Sequence, residues 1–547
     1  MNLIRALFVL KLTSYNFLVT NHELLIKTAR RILGPSLFRF LMRHTFYGHF
    51  VAGEDEDQIR PVIEHLKSFG VKSILDYSAE EDVSEEQAVN SEISTLTKDD
   101  LNSTRQNSEL QNSSETNDNN LVQFKPHKAF LDRRKYKPVA RTYFYMNEAQ
   151  CEKNMETFLK CIDSVAGVTA HTGFAAIKLT ALGRPNLLLQ LSEVIARTQL
   201  YFKEVTGCSK MVLGHLSPEQ FQAQLDKRFH IETDNKEIKQ WFERMDYDRR
   251  GLMNLFSWNG LIDMQYLISD LFQVPNRETG KMERIISALT VEEEEQFRNM
   301  MRRIHNIARH ARDTDVRVMI DAEQTYFQLA INRITMELMR KYNKGKAIIF
   351  NTYQCYLKSA YDTLTIDLEL ARRQNFYFGA KLVRGAYMEQ ERMRAAQAGY
   401  EDPINPNFEA TSEMYHKCLT KVMQEIVATG IENKKLAVMV ASHNEDTVRF
   451  TVDKMKEYNI KPSDKVICFG QLYAMCDQIR QSGYSVYKYV PYGPIEEVLP
   501  YLSRRAAENH CVIEKAAKER SLLRQEIIRR FLNGEIFHKP VGNYTPI

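Results

Sequence analysis

The stretch GAKLVRGA, residues Gly379 to Ala386, decides how the chain is read. It is a short apolar run broken by one cation, Lys381, and it ends on Arg384-Gly385. A continuous apolar run suits a strand buried on both faces of a parallel sheet. Outward from it the same rhythm recurs. Val139–Met146, Phe174–Thr180, Val316–Ala322, Ala347–Tyr353, Leu436–Ser442, Val466–Leu472 and Val486–Val490 are further β-rich runs. The segments between them carry helical spacing, as in Glu445–Lys456. Eight such β-then-α units predict an α/β chain folded as a (β/α)8 barrel.

One crossover, Leu182 to Asp315, is too long for a bare loop and predicts a helical insertion over about 184–300. Inside it, Asp246-Tyr247-Asp248-Arg249-Arg250-Gly251 echoes a calcium loop. Position five is Arg250 and position twelve is Ser257 instead of a bidentate Glu, so a helix–turn–helix scaffold is preferred and no metal is expected. Residues 80–124 are rich in Ser, Asn, Glu, Asp and Gln. Such a tract buries too little apolar surface to offset its chain entropy and reads as a disordered linker. The expected organisation is an N-terminal helical region over 1–79, the linker over 80–124, a barrel over 125–535 with its insertion, and a tail over 536–547.

The first acidic residue is Glu23 and the next Glu54, whereas Arg5, Lys11, Lys27, Arg30, Arg31, Arg39 and Arg43 are basic. That is the composition of part of a mitochondrial presequence, and equally of a basic amphipathic helix of the mature fold. The whole chain, 547 residues with 74 Lys+Arg against 70 Asp+Glu, is nearly balanced. So small a bias argues against a dedicated nucleic-acid binder. Eight scattered cysteines without a CxxC pair fit a reduced compartment. No Rossmann GxGxxG, no phosphate-binding GxxxxGK[ST] and no HExxH occurs.

Barrel active sites lie at the C-terminal ends of the strands. There the runs deliver Lys178; Asp321 and Glu323; Tyr353 and Gln354; Lys381, Arg384, Gly385 and Tyr387; Ser442, His443 and Asn444; Gln471 and Leu472; and Tyr489, Pro491, Tyr492 and Gly493. Asp321 and Gln354 could each simply cap a helix. Lys178 and Lys381 are harder to dismiss, because a cation in an apolar strand is costly to bury unpaired. Beyond the eighth run, Tyr501, Arg504, Arg505 and Glu508 share one helical stripe. Paired arginines can clamp a carboxylate, with Glu508 holding one guanidinium; an exposed helix with an ordinary Glu–Arg pair is the alternative.

Asp321-Ala322-Glu323, Lys381–Tyr387, Ala441–Asn444 and Tyr501–Asn509, in this order, together resemble the proline dehydrogenase family. Thr45–Glu54 is similar to the N-terminal region of its animal, mitochondrial branch. The resemblance implies a distorted TIM-like barrel that binds FAD and oxidises L-proline to 1-pyrroline-5-carboxylate. It implies that Asp321, Ala322, Gln354, Lys381, Arg384, Gly385, Ala386, Ser442 and His443 contact FAD. Lys178, Arg504 and Arg505 would bind the proline carboxylate, with Glu508 beside them. Tyr387, Leu472, Tyr489 and Tyr501 would wall the ring. Lys381, next to flavin N5, Asp321 and Lys178 would carry the catalytic electrostatics. Bacterial members have Arg in place of Lys381. Tyr489 favours proline over hydroxyproline. The family passes electrons to membrane quinone, so ubiquinone, peripheral contact with the inner mitochondrial membrane and the matrix side are expected. A hydroxyproline dehydrogenase and a catalytically silent barrel are the competing readings.

Overall fold

The computed structural model describes, apart from a few single positions, residues 2–78, 147–206, short pieces between 215 and 284, 291–474, 483–502 and 513–535. The N-terminal region forms α1 (Asn2–Leu12), α2 (His22–His44), α3 (Phe46–Phe50) and α4 (Glu56–Ser68). Helix α2 kinks where Gly34, at φ +70°, precedes Pro35, which has no N–H to donate. Strand β1 (Val71–Tyr77) follows, then α5 (Glu148–Thr169), β2 (Phe174–Ile177), α6 (Pro185–Thr206), α7 (Val291–Asp313), β3 (Arg317–Ile320) and α8 (Thr325–Tyr342). The chain continues through β4 (Ile349–Gln354), α9 (Ala360–Gln374), β5 (Phe378–Val383), α10 (Met388–Ala398), α11 (Phe408–Ala428) and β6 (Leu436–Ala441). It closes with α12 (Glu445–Glu457), β7 (Ile467–Leu472), β8 (Val486–Tyr492) and α13 (Ile513–Leu532).

The eight strands form a closed parallel barrel in sequence order, β8 pairing back onto β1 from Val71↔Val486 to Tyr77↔Tyr492. Seven of the expected strands stand where the sequence places them. The first does not. Val139–Met146 lies outside the described residues, and the first position is filled by Val71–Tyr77, which pairs with β2 through Ile74↔Phe174 and Leu75↔Ala175. The barrel therefore begins at residue 71, inside the segment expected to be helical. The polar tract of 80–124, which lies outside the described residues, falls between β1 and α5. The strand VKSILDY does not read as a continuous apolar run because Lys72, Ser73 and Asp76 interrupt it, although all three are buried.

Phe174 meets Phe350 and Tyr487 edge-on, with ring centroids 5.2 and 5.0 Å apart, and with Ile74, Met319 and Met439 they plug the inside of the barrel. Each such ring contributes about 1.5–3 kcal/mol of burial. The layer between barrel and helices is aliphatic, with Ile177, Val318, Ile349, Leu382, Val438 and Ile467 facing helical residues such as Ile304, Ile331 and Leu419. The crossover from β2 to β3 holds α6 and α7. Its described remainder includes two small antiparallel pairs, His215–Leu216 with Met253–Asn254 and Gln273–Pro275 with Met282–Arg284, so it is not purely helical. Of the calcium-like loop, Asp246 to Ser257, only Gly251, Met253 and Asn254 are among the described residues.

Arg303 of α7 is 1 % exposed. It donates to Glu152 at 2.8 Å, to Glu148, and to the Leu182 carbonyl at 2.9 Å, tying α7 to α5 and to the turn after β2. A second apolar cluster joins Val9, Phe38, Met42, Tyr47 and Phe50 to Ile495, Val498, Leu499, Tyr501 and Leu502. Tyr47 donates to the Gly493 carbonyl at 2.8 Å, and Ala52 N–H donates to Pro491. The basic N-terminal helices thus pack on the segment that carries the end of β8 to Tyr501.

Candidate active site

At the C-terminal mouth of the barrel, three strands converge on one carboxylate. Lys381 of β5 donates to Asp321 Oδ1 at 2.8 Å, and Tyr489 of β8 donates to Asp321 Oδ2 at 3.0 Å. The Lys381 ammonium also lies 5.3 Å from the Tyr489 ring centroid. Asp321, just beyond β3, is fixed by its own N–H, which donates to the Ile177 carbonyl at 2.9 Å. Its side chain serves Lys381 and Tyr489, not a helix N-terminus. Burial raises the Tyr489 phenol well above its ordinary pKa, and the Asp321 and Asp76 charges add to this. The hydroxyl therefore stays a donor at any working pH.

A second carboxyl, Glu323, is 1 % exposed. The Thr180 hydroxyl lies 2.9 and 3.0 Å from its two oxygens, and Gln354 donates to its backbone carbonyl at 2.8 Å. Burial pushes Glu323 up to about 7, against the Thr180 hydrogen bond and the Lys178 charge. Lys178, half-buried at the end of β2, acts also on a third carboxyl, Asp76, near the end of β1. Two lysines thus stand among three carboxyls, all approached by Tyr489 or by Lys178. A charge cluster of this kind perturbs protonation and concentrates at functional sites.

On the β5–β6 side, Arg384 follows the strand. It donates to the Ser412 hydroxyl at 3.0 Å and to Thr447 at 3.4 Å, and its guanidinium lies 4.4 Å from the Phe408 ring centroid. Its Nε and Nη1 are buried and have no hydrogen-bond partner among the described residues. A buried guanidinium with two idle N–H groups suits an anion such as a pyrophosphate. Gly385 follows at φ +141°, where a Cβ would meet the Tyr356 ring at 2.5 Å, so only glycine fits. Gly385 and Ala386 are exposed and Tyr387 half-buried. The His443 Nε2 accepts from Leu472 N–H at 3.0 Å, which places its proton on Nδ1. Ser442 Oγ accepts from Asn444 N–H at 3.1 Å, and Asn444 caps α12 through Thr447 N–H.

The structure therefore brings Asp321, Ala322, Lys381, Tyr489 and Gln354 together with Lys178 around the mouth, Arg384 to Tyr387 along one side, and Ser442, His443 and Leu472 along another. Tyr501 is buried close enough to couple electrostatically with Tyr489. Arg504, Arg505 and Glu508 lie outside the described residues. Sequence reasoning missed two groups. Asp76 was lost with its strand. Lys488, 1 % exposed, lies 3.3 Å from Gln471 Oε1 and 3.4 Å from the Leu472 carbonyl. The cation-in-a-strand argument that marks Lys178 and Lys381 applies equally to it.

The model described as Proline dehydrogenase matches residues 59–518. "Proline dehydrogenase 1, mitochondrial" of Drosophila melanogaster is 51% identical over 100% of this chain and 81% of its own, and that of Homo sapiens 48% identical over 98% and 88%. "Hydroxyproline dehydrogenase" of Xenopus laevis is 31% identical over 97% and 87%. Among solved structures, proline utilization A of Bdellovibrio bacteriovorus inactivated by N-propargylglycine matches 93% of this chain with a TM-score of 0.50 at 15% identity, a likeness of fold. This chain spans only 36% of that one. The family model and these relatives, with the closed parallel barrel, show that the chain belongs to the proline dehydrogenase family of oxidoreductases.

Proposed function

We propose that the protein is a mitochondrial, FAD-dependent proline dehydrogenase that oxidises L-proline to 1-pyrroline-5-carboxylate, the first step of proline catabolism. The observation that carries this reading is the Lys381–Asp321–Tyr489 constellation at the mouth of a barrel of this family. FAD would be held by Asp321, Ala322, Gln354, Lys381, Arg384, Gly385, Ala386, Ser442 and His443; the idle Arg384 N–H groups fit its pyrophosphate. When bound, FAD supplies the hydride acceptor for the ring carbon next to nitrogen.

The chain's own residues then do three things. Lys178, with Arg504 and Arg505 and with Glu508 steadying a guanidinium, clamps the substrate carboxylate, the one strong handle on a small apolar ring. Tyr387, Leu472, Tyr489 and Tyr501 wall the ring, exclude water and disfavour the ammonium, so that the amine reacts neutral. Lys381, held by Asp321, supplies positive charge where negative charge develops during the reaction. Electrons pass onward to ubiquinone, and the basic N-terminal region makes peripheral contact with the inner membrane on its matrix side.

Purified protein should be yellow, and proline should bleach it without oxygen. Bleaching by hydroxyproline in preference to proline would favour the sister activity, which the higher identity to the proline enzymes speaks against. A colourless protein that no imino acid alters would leave a silent barrel.

A further inference from the structure

Asp76 is the penultimate residue of β1, level with Pro491 of β8, at the end of the barrel that carries Asp321 and Lys178. Its side chain is 4 % exposed. A carboxyl taken out of water at a strand end is costly unless charge and hydrogen bonds compensate it. Here the compensation is directional. Ser78, the residue two further on, donates its hydroxyl to Asp76 Oδ2. Across the mouth, the Lys178 charge and the Tyr489 hydroxyl both act on the Asp76 carboxylate. Tyr489 thus stands between two acids, donating to Asp321 at 3.0 Å while reaching Asp76.

The charged and titratable groups facing Asp76 are Lys178 from β2, Asp321 from the end of β3 and Tyr489 from β8; Glu323, Lys381 and Tyr501 lie one step further. The helices behind β1 offer Ile59, Ile63, Phe158, Ile162 and the Cys161 thiol, which has the Leu75 carbonyl as its acceptor. Nothing on that side requires a carboxylate. A Ser78 hydroxyl would be satisfied by an amide just as well. The cation on which a carboxylate there acts is Lys178.

We propose that Asp76 is a positioning residue of the substrate pocket: its carboxylate holds the Lys178 ammonium in place, and so sets how tightly the carboxylate of proline is gripped. This rests on the proline-oxidation reading above. Asp76 touches the substrate only through its neighbours. Burial raises its pKa above the ordinary carboxyl value, so it gives up its charge at a higher pH than an exposed aspartate does.

The test is Asp76→Asn, which keeps the shape and the acceptor for Ser78 while removing the charge. It is read in the flavin-loaded enzyme as KM and kcat for proline across pH. It is read independently as the dissociation constant of cyclopentanecarboxylate, a ring carboxylate that cannot be oxidised at a ring nitrogen. Both KM and that constant should rise by about tenfold, the order of one charge-assisted contact, with kcat little changed. The variant-to-parent ratio should be largest at alkaline pH and approach one in acid, where the parent's Asp76 is itself protonated. In a Lys178→Ala background the substitution should add nothing further. Ser78→Ala, which removes only the hydroxyl donor, should move both quantities in the same direction by less, and it carries the test if Asp76→Asn does not fold. An unchanged KM, an effect confined to kcat, or effects that multiply with Lys178→Ala would overturn the proposal. If the parent itself neither oxidises proline nor binds the ring carboxylate, the proline reading fails instead.

Discussion

Asp321 accepts from a cation and a phenol at once, and neither partner is replaceable by water in so enclosed a mouth. Its removal would leave Lys381 without its carboxylate and Tyr489 without its nearest acceptor. An uncompensated buried charge costs more than the interaction it lost. Asp321→Ala should therefore lower kcat/KM for proline by roughly a hundredfold or more, the scale of losing preorganised electrostatics, and should weaken flavin retention. Steady-state kinetics with the ratio of flavin to protein absorbance checks both, and normal values of both would take Asp321 out of the site. The same residue shows what sequence can and cannot do at this scale. That a polar side chain ends β3 was legible; that it serves Lys381 from β5 and Tyr489 from β8 depends on closing the barrel.

At the scale of elements, seven strands were visible because both of their faces are buried and their runs are almost wholly apolar. Strand β1 was not, because Lys72 and Asp76, buried as they are, make VKSILDY look like surface sequence. Pattern reading takes charge as exposure, and that rule fails where a barrel interior turns polar near its ends. Polar Asp76 thus hid the strand and was itself lost from the candidate site. Among the helices, α7 depends on one residue. Arg303→Ala would remove the only side chain among the described residues shown donating to Glu148, Glu152 and Leu182 together. The two glutamates are a third exposed and water can take them up, so the loss is that of a buried tether, about 2–4 kcal/mol. Thermal melting should fall by several degrees. The proline turnover of the protein that remains folded should be retained, since the partners of Arg303, Glu148, Glu152 and the Leu182 carbonyl, are not among the mouth residues.

For the whole molecule, buried acids such as Glu323 and Asp367 make folding depend on pH. Asp367, which accepts from the Tyr353 hydroxyl at 2.7 Å, is raised by burial to about 7, as Glu323 is. An unfolded aspartate titrates near 4. The folded chain holds these protons more tightly than the unfolded one, so this contribution is fully present below about pH 4. It is lost as pH rises to about 7 and is constant above that. Asp367→Asn removes one of these titrations. It should be more stable than the parent at pH 8 by a few kcal/mol, at about 1.4 kcal/mol for each tenfold difference in proton affinity between folded and unfolded chain, with the gain shrinking toward pH 5. Urea unfolding at the two pH values measures it, and equal differences at both would contradict it.

The pairing of Val71 with Val486 makes the first strand of the barrel wait for the last. Loop closure across nearly the whole polypeptide is entropically demanding and slow. During synthesis, a nascent chain with seven strands emerged would hold Asp76, Lys178, Asp321 and Lys381 already, yet Tyr489, which donates to Asp321 and acts on Asp76, arrives only with β8. The pocket is thus assembled in one late step, and no shorter intermediate could hold a competent site.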